Sequence, residues 1–141
     1  ALKVLDEAIK IDPKKSNPRF YKGIVLGKTG KHELALNCFE NVYRANPKHL
    51  DSLFHKGIEL AELDRHGKAI EVFDKILDKH KGNINVVYAK ARSKAALNEV
   101  NEAFDLLKVA IKHSKTIKLW ARKEKVFEKF YDDPEFQRMV K

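Results

Sequence analysis

The chain has a single cysteine, Cys38, so it holds no intramolecular disulfide framework and no Cys-rich zinc cage. Four prolines and six glycines in 141 residues are too few for an all-β chain built on tight turns. No segment sustains a two-residue alternation of apolar and polar side chains, so no sheet is expected. No apolar run approaches the roughly 20 residues that span a bilayer. A signal peptide and an initiator Met are also missing. The chain opens Ala1-Leu2-Lys3-Val4-Leu5, already inside an amphipathic pattern, and is expected to be a fragment or trimmed form of a longer protein. Charge, by contrast, is plentiful. Charged residues make up 35% and hydrophobic residues 43%, the composition of a foldable, water-soluble chain. Lys and Arg number 29 against 20 Asp and Glu, a net charge of +9. That excess admits nucleic acid, anionic membrane or acidic protein as partners.

The cues of catalysis are lacking as well. The six histidines, at 32, 49, 55, 66, 80 and 113, form no HxxxH or HExxH spacing for a metal. There is no nucleophile motif, phosphate loop or dinucleotide fingerprint. Cys38 has no activating neighbour in sequence. The chain is therefore expected not to be an enzyme and to carry no cofactor or metal.

What the sequence does contain is a repeat. Ala1, Ala35, Ala69 and Ala103 recur every 34 residues. Leu5, Phe39, Phe73 and Leu107 share that period, as do Ala8, Val42, Ile76 and Ala110, and Gly23, Gly57 and Ala91. Pro13 and Pro47 continue it, with Lys81 and Lys115 in the later copies. A fixed period of this length marks stacked helix pairs, none of which can bury its apolar face alone. Each pair turns at Gly30, Asp64 or Asn98, residue types that tolerate the left-handed conformation closing a helix. The expected helices are 1–12; 17–29 with 32–45; 51–63 with 66–79; 84–97 with 100–113; a long one at 117–131; and a short one from Pro134, capped by Asp133. Asn17-Pro18 and Asn83 mark starts of first helices, and Pro47 a stop. Small residues at 23, 57 and 91 are expected to face Ala35, Ala69 and Ala103 across a close helix pair.

The pattern Gly-x11-Ala-x3-Phe-x2-Val/Ile with a closing Pro resembles the tetratricopeptide repeat, most clearly from Lys22-Gly23 to Pro47 and from Lys56-Gly57 to Ile76. The Lys-Gly pair is similar to prokaryotic and archaeal arrays. The resemblance implies an all-α, right-handed superhelix of antiparallel helix pairs. It divides one domain into a second-helix remnant (1–15), repeats at 16–49, 50–83 and, more weakly, 84–117, and a capping helix with a short terminal helix (118–141). The family's Trp column holds Arg19, Leu53 and Val87, its Leu before the Gly is Lys22, Lys56 and Lys90, and Lys94 stands where an aromatic is usual. Trp120, Val126, Phe127 and Phe130 are expected to form the apolar side of the capping helix, with Phe136 and Met139 anchoring the last one.

The resemblance also implies a non-catalytic scaffold that holds a partner peptide or helix against its first helices. Carried over by position, the groove would comprise Asn17, Phe20, Tyr21, Ile24 and Lys28, then Asp51, Phe54, His55, Ile58 and Glu62, then Asn85, Tyr88, Ala89 and Arg92. Phe20, Phe54 and Tyr88 could equally be packing residues, while Arg92 could hold a carboxylate. The family's carboxylate clamp falls here on Phe20, Ile24, His55, Asn85 and Ala89, so a chaperone's C-terminal carboxylate is disfavoured. A rival site is a basic patch, Lys108, Lys112, Lys115, Lys118, Arg122, Lys123, Lys125 and Lys129. Four of these, Lys118, Arg122, Lys125 and Lys129, would share one stripe of the capping helix. Such a stripe suits an acidic protein surface, anionic lipid or, less well, nucleic acid, since exposed aromatics are not interleaved with it. A structural or regulatory role within a larger, cytoplasmic protein is a third reading. Leu2, Leu5 and Ile9 would leave an apolar face open to self-association.

Overall fold

The structure is a computed structural model that describes residues 1–12 and 15–141. The expected stop at Pro13 lies outside the described residues. Every regular element among them is a helix: α1 (Leu2–Ile11), α2 (Ser16–Lys28), α3 (His32–Ala45), α4 (Leu50–Glu62), α5 (His66–Lys79), α6 (Ile84–Ala96), α7 (Val100–His113), α8 (Thr116–Lys123), a 3₁₀ helix (Lys125–Phe130) and α9 (Pro134–Val140). They form two compact units, Ala1–Val72 and Phe73–Lys141.

The helix ends follow local chemistry. Asp64 and Asn98 both take φ 61°, and Gly30 takes φ 84°, so the three turn residues adopt the left-handed conformation their types allow. Helix α3 stops at Ala45, and Asn46, held out of the helix by Pro47, is extended. Asn83 caps α6 by accepting from Val86 N at 3.4 Å. His49, in the same column, caps α4 through Nδ1, which accepts from Ser52 N at 3.1 Å. Helix α2 begins at Ser16 rather than at Asn17, and no side chain caps it. Pro18 falls within its first turn, where the missing N–H would have had no helical partner.

In the first unit, Phe39 (0% exposed) is the centre of a core with Leu26, Ala35 and Cys38, on which Leu2, Phe20 and Ile24 pack. The three-residue connection after α2 makes α2 and α3 antiparallel neighbours. A Cβ on Gly23 would lie 2.7 Å from Phe39 Cε1, so the ring of Phe39, rather than Ala35, sets how closely these helices approach. Lys22, the lysine that departs from the family pattern, reaches Asp6 on α1 at 2.6 Å, and Lys56 on α4 reaches Glu40 on α3 at 3.8 Å.

The second unit has the larger core. It joins Val87, Tyr88, Phe104, Leu107, Ile117, Phe127, Phe130, Phe136 and Val140, with Met139 packed at its margin. Within this unit Lys90 repeats the lysine contact of the first, to Asp74 at 2.6 Å. Asp133 caps α9, its Oδ1 accepting from Glu135 N at 2.8 Å. The long helix expected at 117–131 is broken. Glu124 is extended (φ −75°, ψ 121°), and a 3₁₀ helix follows. Three residues per turn place Phe127 and Phe130 on one side, and both are buried. An α-helix continued through Glu124 would have turned Lys125 and Lys129 into line with Lys118 and Arg122. The break removes that single stripe. Trp120, expected on the apolar side, is 46% exposed.

The contact at Gly23 makes a test. Alanine is the better helix former by about 1 kcal/mol, yet its methyl group must displace a fully buried ring, at a cost of about 1–3 kcal/mol. Gly23→Ala is expected to lower stability in urea denaturation. Adding Phe39→Leu should recover part of that loss, because the third copy carries Ala91 with Leu107.

Candidate functional site

In the first unit, α2, the start of α3, and α4 enclose a cleft of about 350 Å³, lined by Ile24, Gly27, Lys28, His32, His55, Ile58, Glu59 and Glu62. Five of these, Ile24, Lys28, His55, Ile58 and Glu62, are groove positions carried over from the sequence. One turn of helix separates Ile24 from Lys28, and Ile58 from Glu62, so each helix presents an isoleucine and then a charge of opposite sign. Three lining residues were not among the sequence expectations. His32 Nδ1 donates to Glu59 Oε2 at 2.6 Å, and Glu59 is 6% exposed. Gly27 leaves the space that the Glu59 carboxylate fills, since a Cβ there would collide with Oε1. Glu59 shares its repeat column with Val25 and Ser93, and a carboxylate aligned with valine and serine is the signal that could have marked it.

Burial pushes the Glu59 carboxyl above the usual range, while the hydrogen bond and charge of His32 pull it back. Burial also pulls His55 below its ordinary value, with Asp51 acting the other way. His55 stacks on Phe39 at 5.3 Å and meets the edge of Phe20 at 5.5 Å. Phe20 is half-buried between Phe39 and His49, and Phe54 is half-buried 5.6 Å from His55. Asn17 and Tyr21 are exposed and do not line the cleft.

The corresponding face of α6, in the second unit, is covered by the tail of the chain. Arg92 Nη2 meets Glu124 Oε1 at 3.2 Å, and the Tyr88 hydroxyl donates to the other oxygen at 3.5 Å. The carboxylate that Arg92 was expected to take from a ligand is thus Glu124. Tyr88 is 6% exposed, with its ring 6.1 Å from Phe127 and 5.7 Å from Trp120, and burial followed by Glu124 raises its hydroxyl far above the ordinary tyrosine value. Tyr88 and the buried Ala89 are therefore packing residues and not an open groove wall; Asn85 remains exposed.

The basic residues divide similarly. Lys108 pairs with Glu135 at 2.6 Å, Lys118 donates to the Lys141 carbonyl at 3.3 Å, and Arg122 donates to that of Val140. Lys129 donates to the Ala95 carbonyl at 2.6 Å and to Asn98. Arg122 and Lys118 satisfy the C-terminal end of α9, and Lys129 that of α6, where unpaired carbonyls favour cations. Lys112, Lys115, Lys123 and Lys125 are exposed. Among the described residues, no three His, Cys, Asp or Glu side chains are grouped to hold a metal, and no helix is long and apolar enough to cross a membrane.

No family model matches the chain, and no curated protein matches it by sequence. Solved structures do match. MamA residues 41 to the end, from Desulfovibrio magneticus RS-1, is 14% identical with a TM-score of 0.81, over 99% of this chain and 77% of that one. YrrB, described as a tetratricopeptide protein with an unusual peptide-binding site, is 14% identical with a TM-score of 0.72, over 98% and 72%. A tetratricopeptide repeat protein from Parabacteroides merdae is 18% identical with a TM-score of 0.80, over 89% and 50%. The all-α fold of tetratricopeptide arrays is therefore the fold of this chain.

The depressed His55 has a consequence for stability. Below its ordinary value of 6.5 the unfolded chain binds a proton that the folded one resists. Its contribution is complete above that pH and is lost as the pH falls through it. Glu59 acts oppositely, stabilising as it takes up a proton. Between about pH 7 and about pH 5, the wild type is expected to lose stability relative to His55→Phe, as read by urea denaturation at each pH.

Proposed function

Proceeding from the tetratricopeptide fold, we propose that the protein is a non-catalytic interaction scaffold whose cleft between α2 and α4 holds a segment of a partner protein. The observation that carries this reading is the cleft itself: two isoleucines on neighbouring first helices, flanked by Lys28 and Glu62, beside the half-buried His32 paired with the buried Glu59. Ile24 and Ile58 would bury an apolar side chain of the partner, and the paired charges would orient its backbone. Helices already folded and braced by Phe39 carry little ordering cost on binding. The peptide-binding site named for YrrB supports the same reading by analogy of fold.

The second unit contributes differently. With Tyr88 and Arg92 engaged by the tail, the partner segment is confined to the first-unit cleft rather than running along the first helices of all three repeats. The engagement of Lys108, Lys118, Arg122 and Lys129 with the chain's own carbonyls and carboxylates likewise draws these side chains away from an external polyanion.

A peptide array probed with the wild type and with Ile24→Glu plus Ile58→Glu tests this. Peptides retained by the wild type should bind the double variant at least about tenfold more weakly, since each substitution sets a charge against an apolar contact. Tyr21→Ala, outside the cleft, should retain them. Equal binding by the double variant and the wild type would place the partner elsewhere.

A further inference from the structure

A second cleft lies in the first unit, between α1, α2 and α3, with a volume of about 290 Å³. It shares no lining residue with the α2–α4 cleft, and so none of the proposed peptide contacts. Its walls are apolar: Ile9 from α1, Leu26 from α2 and Leu34 from α3, the last 53% exposed at the mouth. Its polar side chains include no carboxylate. Arg19 and Lys22 come from α2, Asn37 and Asn41 from α3, and Cys38 lies between the two amides in sequence.

The internal repeat shows how unusual this is. Arg19 occupies the column of Leu53 and Val87, which are buried at 3% and 5% exposure. Asn37 occupies the column of Glu71 and Asp105. The first copy therefore exchanges a buried aliphatic for a guanidinium and a carboxylate for a neutral amide. Both exchanges make the cleft more favourable to an anion.

Apart from Lys22, the donors are unspent. Lys22 is neutralised by Asp6 at 2.6 Å. Arg19 has no ion pair or hydrogen bond with any described residue, and neither has the side chain of Asn37. Asn41 accepts from Arg44 through Oδ1 at 3.4 Å, which leaves its amide hydrogens available. A planar guanidinium and two amides lining one cleft are the donor types that match a carboxylate. The aliphatic walls match an apolar body behind it. At about 30 Å³ per water-sized group, the volume holds roughly ten non-hydrogen atoms.

We propose that this cleft binds a medium-chain aliphatic monocarboxylate, its head on Arg19 with Asn37 and Asn41, its chain against Ile9, Leu26 and Leu34. Octanoate, with ten non-hydrogen atoms, is the probe. The sole cysteine makes an internal reporter. Cys38 is 9% exposed at this cleft; burial raises its thiol pKa, Lys22 and Arg19 act to lower it, and Asp6 acts to raise it.

The test titrates the wild-type chain with octanoate, octanol and octylamine. It follows backbone amide shifts by NMR and the rate of Cys38 alkylation by iodoacetamide. Octanoate is expected to shift the amides of residues 19, 37, 38 and 41 saturably and to slow alkylation several-fold. Octanol and octylamine should do neither at equal concentration. Arg19→Gln should weaken octanoate binding about tenfold, the worth of one hydrogen bond to a charged partner. Asn37→Glu, which restores the residue type of the second copy on an exposed helix face, should abolish it while leaving the helical circular dichroism unchanged. Equal binding of octanol would reduce the cleft to a generic apolar surface and overturn the proposal. So would unchanged octanoate affinity in both variants, or no saturable shift with the wild type.

Discussion

The first unit depends on one contact, the ring of Phe39 laid against the bare backbone of Gly23. The ring touches three surroundings at once. It closes the α2–α3 pair, packs against Phe20, and offers a face on which His55 of α4 stacks. The α2–α4 cleft inherits its shape from that arrangement. Ile24 follows Gly23 directly, and His55 is held by the ring itself. A change in how closely α2 and α3 approach would move both walls of the cleft together. Stability and recognition are therefore not separable at Phe39, whereas they are separable at Ile58.

In the second unit that column holds Phe73 and then a smaller side chain, Leu107, and the architecture beyond Leu107 is completed by the tail. The extended residue Glu124 is the pivot. Its carboxylate engages Arg92 and Tyr88, and its carbonyl accepts from the Tyr131 hydroxyl. The chain then tightens into a 3₁₀ turn so that Phe127 and Phe130 enter the core together. Cationic side chains finish the work by meeting helix C-termini. Of the eight basic residues of the patch, Lys118, Arg122 and Lys129 are tied to local carbonyl groups, while Lys112, Lys115, Lys123 and Lys125 are exposed.

Much of this is legible in the sequence. The 34-residue register located seven of the helices to within a residue at each end, because turn residues, apolar columns and length agreed. The left-handed turns at Gly30, Asp64 and Asn98 were readable from residue type alone. Ile24, His55 and Ile58 were readable as neighbours, because their columns repeat. Three things were not. Lys118, Arg122, Lys125 and Lys129 have ideal helical spacing, and spacing says nothing about an extended residue placed between them. Tyr88 and Arg92 share columns with groove positions, but their occupant comes from a tail outside the repeat. Glu59 and His32 meet across two helices, and a partnership at that separation leaves no periodic trace.

The lysines that precede the glycine column acquire a meaning beyond their modest energies. In each case the acid comes first in the chain and the lysine follows 16 residues later, one helix on: Asp6 with Lys22, Glu40 with Lys56, Asp74 with Lys90. The arrangement is a directional code. In the next copy the signs exchange, with Lys108 in the acid column and Glu124 in the lysine column. A duplicated repeat spliced between the first and second copies would find its complement on both sides. The same repeat grafted after α7 would set lysine against lysine. The modules of this array are thus interchangeable in its interior and polar at its end, a grammar of assembly written in single charges.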